Sequence, residues 1–410
     1  MKFIQQLKYS LPIIYAALVS FGTTISIGGY GLLVLLFFLL LLNNINDLSN
    51  RKLQQLQVID IRLYFIYVII FFVCSFFNGD GDIGRNSLII NYLVCILIYE
   101  VISKDVRSKI DLDKITNILL ILTVINCVIT ISQYNNNSLG WGVWYFFNDA
   151  QTVKQATMIE NMKAGSQIIG KNYLFCPGIF PSVVYNGYVV GSLSPIALYV
   201  FYKARTSIQK IISGLSLLLI VYSLIVIQQR MAFFLFVLTF VAMLFSKNKL
   251  LTVLFAIGLL IAYLLYGFDI GEEQLGRLVD IEDKNRERLY ANGYEYIFSH
   301  LWAGGRQEFM VLNRLSVHNI FFNAFMYGGV FGAAIIITIY MRMCVSSIKP
   351  ILKSLKNGIT ESVAFAYALL IYNIISLTHN NSLLTGDPII WVLYGLMLLS
   401  LKFEKNGQRA

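Results

Sequence analysis

Apolar residues in this chain come in runs as long as a bilayer is thick, and that limits what it can fold into more than any motif does. A helix rises about 1.5 Å per residue, so about 20 mainly apolar residues cross a hydrocarbon layer roughly 30 Å deep. Twelve such stretches can be read, at 10–27, 28–42, 62–78, 87–102, 115–133, 180–202, 211–227, 231–246, 250–266, 319–341, 360–378 and 388–402. Of the 410 residues 57% are hydrophobic and only 13% are charged, about half the charge of a soluble domain. The expected fold is an all-α polytopic membrane protein, one integral domain over residues 1–410. No repeat of 20–50 residues and no inverted repeat is visible, the latter being a pointer to many secondary transporters.

Lysine and arginine set the orientation, because cytoplasmic loops keep the positive excess. If Lys2 and Lys8 are cytoplasmic and the spans alternate, most of the 32 basic residues fall on that side, and the short loops of the opposite side carry only Arg85 and Arg230. Both termini are then cytoplasmic. The net charge of +10 is accounted for by this asymmetry, so it points to no nucleic-acid partner. Lys2 and Lys8 before an apolar run resemble a signal peptide, but the next span follows at once with no small-residue cleavage site, and the first helix is expected to be retained. Three of the five cysteines, Cys74, Cys95 and Cys127, lie in spans and only Cys176 falls in an outer loop, which supports no disulfide framework.

Two long loops face the outer side, 134–181 and 268–317. Loops of this length in a compact protein are usually functional or disordered. The first carries Trp141-Gly142-Val143-Trp144-Tyr145-Phe146-Phe147. Trp141 and Trp144 suit an anchor at headgroup level, or a flat platform for a glycan or a lipid tail. In the second loop Leu289, Tyr290, Tyr294, Ile297 and Phe298 form a helical apolar stripe, with Arg288 near its start and Gly304-Gly305 as a turn after it.

Three charged positions stand out on that side. Arg230 sits where the seventh and eighth spans meet almost without a loop. It can snorkel to lipid phosphates, or present its planar fork of donors to a bound anion. Arg288 is a solvated loop charge or a second such donor. His318, one of three histidines, stands where the second loop re-enters an apolar run, and it is either a helix-end hydrogen-bonding group or a base that titrates near neutral pH. His300 and His379 have no arginine partner or motif. Asp80-Gly81-Asp82 is a turn composition before it is a metal site, and no phosphate loop, dinucleotide fingerprint, zinc-protease motif or hydrolase elbow is present. Together, two outer arginines and an outer histidine are the minimum for attack on a lipid-anchored diphosphate donor: cations for the leaving group and a base for the acceptor hydroxyl.

Three segments carry a likeness to a known family: Gln229-Arg230-Met231-Ala232 opening a span, Arg288 leading an aromatic stretch that ends in Ser299-His300-Leu301-Trp302-Ala303-Gly304-Gly305, and Val317-His318-Asn319-Ile320-Phe321-Phe322-Asn323 followed by Tyr327-Gly328-Gly329-Val330-Phe331-Gly332. In these the chain resembles the O-antigen polymerase and O-antigen ligase superfamily, and in particular the Wzy-like polymerases. The resemblance implies a metal-independent, cofactor-free GT-C-like glycosyltransferase of the bacterial inner membrane, with its active site facing the periplasm. It assigns Arg230 and Arg288 to the pyrophosphate of an undecaprenyl-linked glycan and His318 to the catalytic base, with Asn319 and Tyr294 in support. The chain has Gln229 where a small hydroxyl residue often precedes the first arginine, and Asn292 where an aromatic is usual after the second, which makes Arg286 an alternative to Arg288. Undecaprenyl-linked glycans are then donor and acceptor, and a chain-length regulator in the inner membrane is an expected partner. Polymerisation of repeat units is the expected activity. Ligation of finished polymer to lipid A-core uses the same residues, and a lipid-linked oligosaccharide flippase is the rival of a different class.

Overall fold

The computed structural model describes residues 26–27, 30–31, 59–78, 91–99, 102, 106–148, 176–180, 182–227, 229–247, 284–313, 317, 319–378, 384 and 386–407. The expected span 250–266 and most of 10–27 and 28–42 lie outside them. Twelve helices are described: α1 Ile59–Phe77, α2 over 91–99, α3 Lys109–Tyr134, α4 Ser138–Phe147, α5 Val183–Lys203, α6 Ser207–Ile227, α7 Arg230–Lys247, α8 Lys284–Ser299, α9 Arg306–Asn313, α10 Ile320–Asn357, α11 Glu361–Thr378 and α12 Pro388–Gly407. Five stretches, Ile59–Phe77, Lys109–Tyr134, Val183–Lys203, Ser207–Ile227 and Ile320–Leu355, are long and apolar enough to cross a membrane, and Met231–Ser246 and Glu361–Leu377 are shorter apolar helices.

Local chemistry explains where the helices begin. Ser108 caps α3 in a capping box with Asp111, Asn137 caps α4, Ser182 caps α5 and Asn319 caps α10. Each supplies an acceptor to backbone N–H groups that a helix start leaves unpaired. The only strands among the described residues are a short antiparallel pair, β1 Ser26–Ile27 with β2 Tyr30–Gly31, Ile27 opposite Tyr30. These four residues lie at the expected junction of the spans 10–27 and 28–42, and α4 packs against β1.

Helix α11 occupies the centre, packed against α5, α7, α10 and α12, while α1 lies along α10 and α6 lies along α3 and α5. The outer helices turn apolar side chains outward: Phe72 and Phe76 on α1 and Leu215 and Leu218 on α6 are all more than half exposed. An apolar rim of this kind suits hydrocarbon surroundings and would be costly in water. Helix α5 is nearly all buried and contains Pro195. Proline donates no hydrogen bond to the carbonyl four residues earlier, and here the Ser194 hydroxyl donates to that Gly191 carbonyl at 2.6 Å, which keeps the group satisfied where water is excluded.

The hydrogen bonds and ion pairs of the described residues fall at two ends of the bundle with distinct chemistry. At the end here called lower, Arg342 of α10 pairs with the fully buried Asp60 of α1, and the Tyr394 hydroxyl donates to the same carboxylate at 2.9 Å. Nearby, Lys203 pairs with Asp113, Thr116 donates to Glu361 at 2.8 Å, and Ser362 donates to Glu404 at 2.8 Å. The upper end holds the C-termini of α1 and α3, the N-termini of α5, α10 and α12, and the segments α4, α8 and α9.

Candidate functional site

The upper end is built on a polar frame inside the bundle. Asn126 of α3 donates to Asn186 of α5 at 2.7 Å, and Asn186 donates to Thr130 and to the Cys176 carbonyl, each at 3.0 Å. Gln133 exchanges two hydrogen bonds of 2.8 Å with the backbone of Gly178, and the indole of Trp144 donates to the Phe180 carbonyl at 2.8 Å. These bonds staple residues 176–180 between α3, α4 and α5. They also settle where the two tryptophans sit. Trp144 is buried, with 2% exposure, and its N–H is spent on Phe180. It is therefore a strut under α4 rather than an open platform; Trp141 is partly buried, edge-on to Trp144 at 6.0 Å, and the exposed rings of α4 are those of Tyr145 and Phe146.

A second polar group stands at the start of α12. Asp387 caps this helix by accepting from Ile389 N–H at 3.1 Å, and it also accepts from the hydroxyls of Tyr185, at 3.1 and 3.2 Å, and Tyr372. Among the described residues no basic side chain pairs with it. Burial pushes its carboxyl up to about 6, against the lowering effect of these three donors. Removal from water disfavours the charged form.

Helices α8 and α9 fold over the first turns of α10, with Leu289, Phe309, Val317 and Met326 as their shared apolar core. The stripe expected over 289–298 is divided by this packing. Leu289 and Ile297 are buried, whereas Tyr294 and Phe298 are 58% and 63% exposed and meet edge to face at 4.9 Å. His300 ties α8 to α9: its ring stacks on Tyr296 at 4.1 Å and its Nε2 lies 3.5 Å from Glu308. Asn292 donates to Asn313 at 2.7 Å, which ties α8 to the end of α9.

Helix α10 is broken nine residues after it begins. Gly328 and Gly329 leave the helical region, Gly329 at φ +58°, a conformation open to glycine and strained for other residues. The turn over 301–305 seats in this break: Val330 N–H donates to the Leu301 carbonyl at 2.8 Å and Gly305 N–H to the Met326 carbonyl at 3.0 Å. The seat is so close that a Cβ on Gly329 would collide with the Trp302 carbonyl, and one on Gly304, at φ +74°, with that of Met326. Asn78, just past α1, donates to the Ala303 carbonyl at 2.8 Å and fastens the turn from the other side.

The expected site residues are distributed around this broken helix. His318 lies outside the described residues, but its neighbours are placed: Val317 is fully buried and Asn319 opens α10, its side-chain oxygen accepting from Phe321 and Phe322 N–H at 2.9 and 3.3 Å. Asn319 thus has a capping task, whatever support it gives to chemistry. Arg230 is the first residue of α7, after a buried Gln229 whose side chain accepts from Ala232 N–H at 3.1 Å. Gln229 here serves as the helix cap. Arg288 is exposed in the early turns of α8, beside the buried Leu289. Arg286 is in the same helix. The side chains of Arg230 and Arg286 are outside the described residues, as are Asp80, Asp82 and His379.

One cation was not singled out from sequence. Arg306, the first residue of α9 after the seated turn, is partly buried with its guanidinium over the ring of Tyr327, 4.8 Å from the centroid. Its only sequence signal was its place directly after Gly304-Gly305. No protein-family model, curated protein or solved structure matches this chain.

Proposed function

We propose that this chain is a metal-independent membrane glycosyltransferase that polymerises undecaprenyl-pyrophosphate-linked oligosaccharide repeat units into O-antigen or a related surface polysaccharide, at the periplasmic face of the bacterial inner membrane. What supports the reading most is the shared dependence of its three motif segments on one helix. The helix that Arg230 opens packs against α10, the helix that bears Arg288 packs on α10, and the cap of α10, Asn319, directly follows His318 in the chain.

In this reaction the growing glycan, held on undecaprenyl diphosphate, presents its anomeric carbon to a hydroxyl of the incoming lipid-linked unit. His318 takes the hydroxyl proton as the oxygen attacks, the bond from the anomeric carbon to the diphosphate oxygen breaks, and undecaprenyl diphosphate leaves. A base of this kind contributes about 10²–10⁴-fold. Arg230 and Arg288 hold the charge that grows on the departing diphosphate, generally the larger electrostatic contribution. Guanidiniums suit it because their planar fork matches two phosphate oxygens at once.

Purified protein given lipid-linked repeat units, without nucleotide sugar or ATP, is expected to produce a ladder of longer glycans, and His318→Ala is expected to abolish it while donor binding persists. One-step transfer to a lipid A-core acceptor would make the chain a ligase, and lipid translocation without transfer would make it a flippase. A ladder of undiminished length from His318→Ala defeats the assignment of the base.

A further inference from the structure

The guanidinium of Arg306 combines a fixed ring contact with an unsatisfied donor. Its Nε is buried and finds no hydrogen-bond acceptor among the described residues. No carboxylate among them lies within ion-pairing distance of it. The nearest acid in sequence, Glu308, is turned to the other side of α9, where it accepts from the Tyr296 hydroxyl at 3.0 Å and faces His300. A buried donor without an acceptor costs about 1–3 kcal/mol, more when charged.

The group is nevertheless held in place. Tyr327, 5% exposed, backs the guanidinium plane and is itself packed on Phe71 at 5.6 Å. The preceding Gly305 is bonded to the Met326 carbonyl. Stacking on a ring face fixes the plane of an arginine while leaving its edge of N–H groups open to a planar or tetrahedral anion. Tyr327 is eight residues along α10 from Asn319, about 12 Å at 1.5 Å per residue. Arg306 is thereby held against α10 about two turns beyond its Asn319 cap.

We propose that Arg306 binds a phosphate oxygen of the lipid-linked diphosphate, as a third cation of that site, with Tyr327 as the residue that positions it. The inference rests on the reading above for the identity of the anion. The shared chemistry is a diphosphate, and a lipid-attached and a free one are separable by experiment.

The test measures binding of farnesyl diphosphate, inorganic pyrophosphate and farnesol to the full chain in detergent, for wild type, Arg306→Gln and Arg306→Lys, with thermal unfolding as the check on folding. Farnesyl diphosphate should bind wild type and lose at least tenfold in affinity in Arg306→Gln. Arg306→Lys, which keeps the charge but not the fork, should fall between them. Farnesol affinity should not change, and inorganic pyrophosphate should compete against wild type more strongly than against Arg306→Gln. Equal farnesyl diphosphate affinity in all three proteins, no affinity in wild type, or parallel loss of farnesyl diphosphate and farnesol would overturn the proposal. The two readings fail separately: Arg306-dependent diphosphate binding without glycan extension sinks the polymerase and keeps the site, while extension at wild-type rate by Arg306→Gln does the reverse.

Discussion

The lower end of the bundle spends its charges on itself and the upper end does not. Below, Asp60 has Arg342 and Tyr394, and Asp113 has Lys203. Above, among the described residues, Asp387 is held by hydroxyls and one backbone N–H with no cation paired to it, and Arg306 has an aromatic face and no acid. The upper end keeps its shape by other means, with carboxamides bridging α3 and α5 and a glycine turn seated in a broken helix. Among the described residues, lysine and arginine ion pairs fall at the lower end, while at the upper end neutral hydrogen bonds set the frame.

The contrast can be broken most forcefully at Gly329. Alanine there would have to adopt a positive φ and push against the Trp302 carbonyl. A loss of about 4 kcal/mol or outright failure to fold is expected, in the class of backbone strain at a special position. An unchanged denaturation midpoint in detergent would mean that the seated turn is not what holds the upper end.

Arg342→Ala should come next. It strands a fully buried carboxylate, and removing one partner of a buried pair costs about 3–5 kcal/mol. The value should lie near the bottom of that range, because the Arg342 side chain is 46% exposed. Arg306→Gln, by contrast, should leave the unfolding midpoint almost unmoved, so equal losses in the two variants would erase the distinction between the ends.

A smaller loss than that of Arg342→Ala is expected at Asp387, and it depends on pH. Its folded-state value, about 6, lies above the ordinary carboxylate value of 3.8. The folded protein therefore holds this proton more tightly than the unfolded one, and stability is greatest below pH 4 and falls as pH rises through about 6. The full change is below about 3 kcal/mol. Asp387→Asn should remove this part of the pH dependence, and unfolding midpoints compared at pH 4 and pH 7.5 would show it. A slope unchanged by the substitution would show that the charge at the upper end is compensated.

Much of the helix layout was legible because long apolar runs have few alternatives. The stretch 211–227 became Ser207–Ile227 and 231–246 became Arg230–Lys247. Extra residues at the ends came from polar caps and polar final turns, such as Ser108 before α3 and Lys405 in α12, which hydrophobicity does not register. Short elements in polar sequence were harder. Helix α4 was expected as loop because an aromatic run at a helix end has no period of its own. The inward turn of Trp144 depends on a carbonyl 36 residues away.

The candidate site was legible as a set of residue types but not as a set of contacts. Asn126 and Asn186 are single polar residues inside apolar runs, 60 positions apart, and nothing local pairs them. Arg306 was passed over because its neighbours in sequence are a turn and an acid, whereas the feature that distinguishes it, the face of Tyr327, belongs to another helix.

The seated turn also sets an order of assembly. Residues 301–305 leave the ribosome before α10 exists, yet their partners Met326 and Val330 belong to it. The turn cannot find its place until α10 has formed and bent at its glycines, so α8 and α9 must wait unanchored until then. The arginine that follows the turn is accordingly oriented only once α10 is in place.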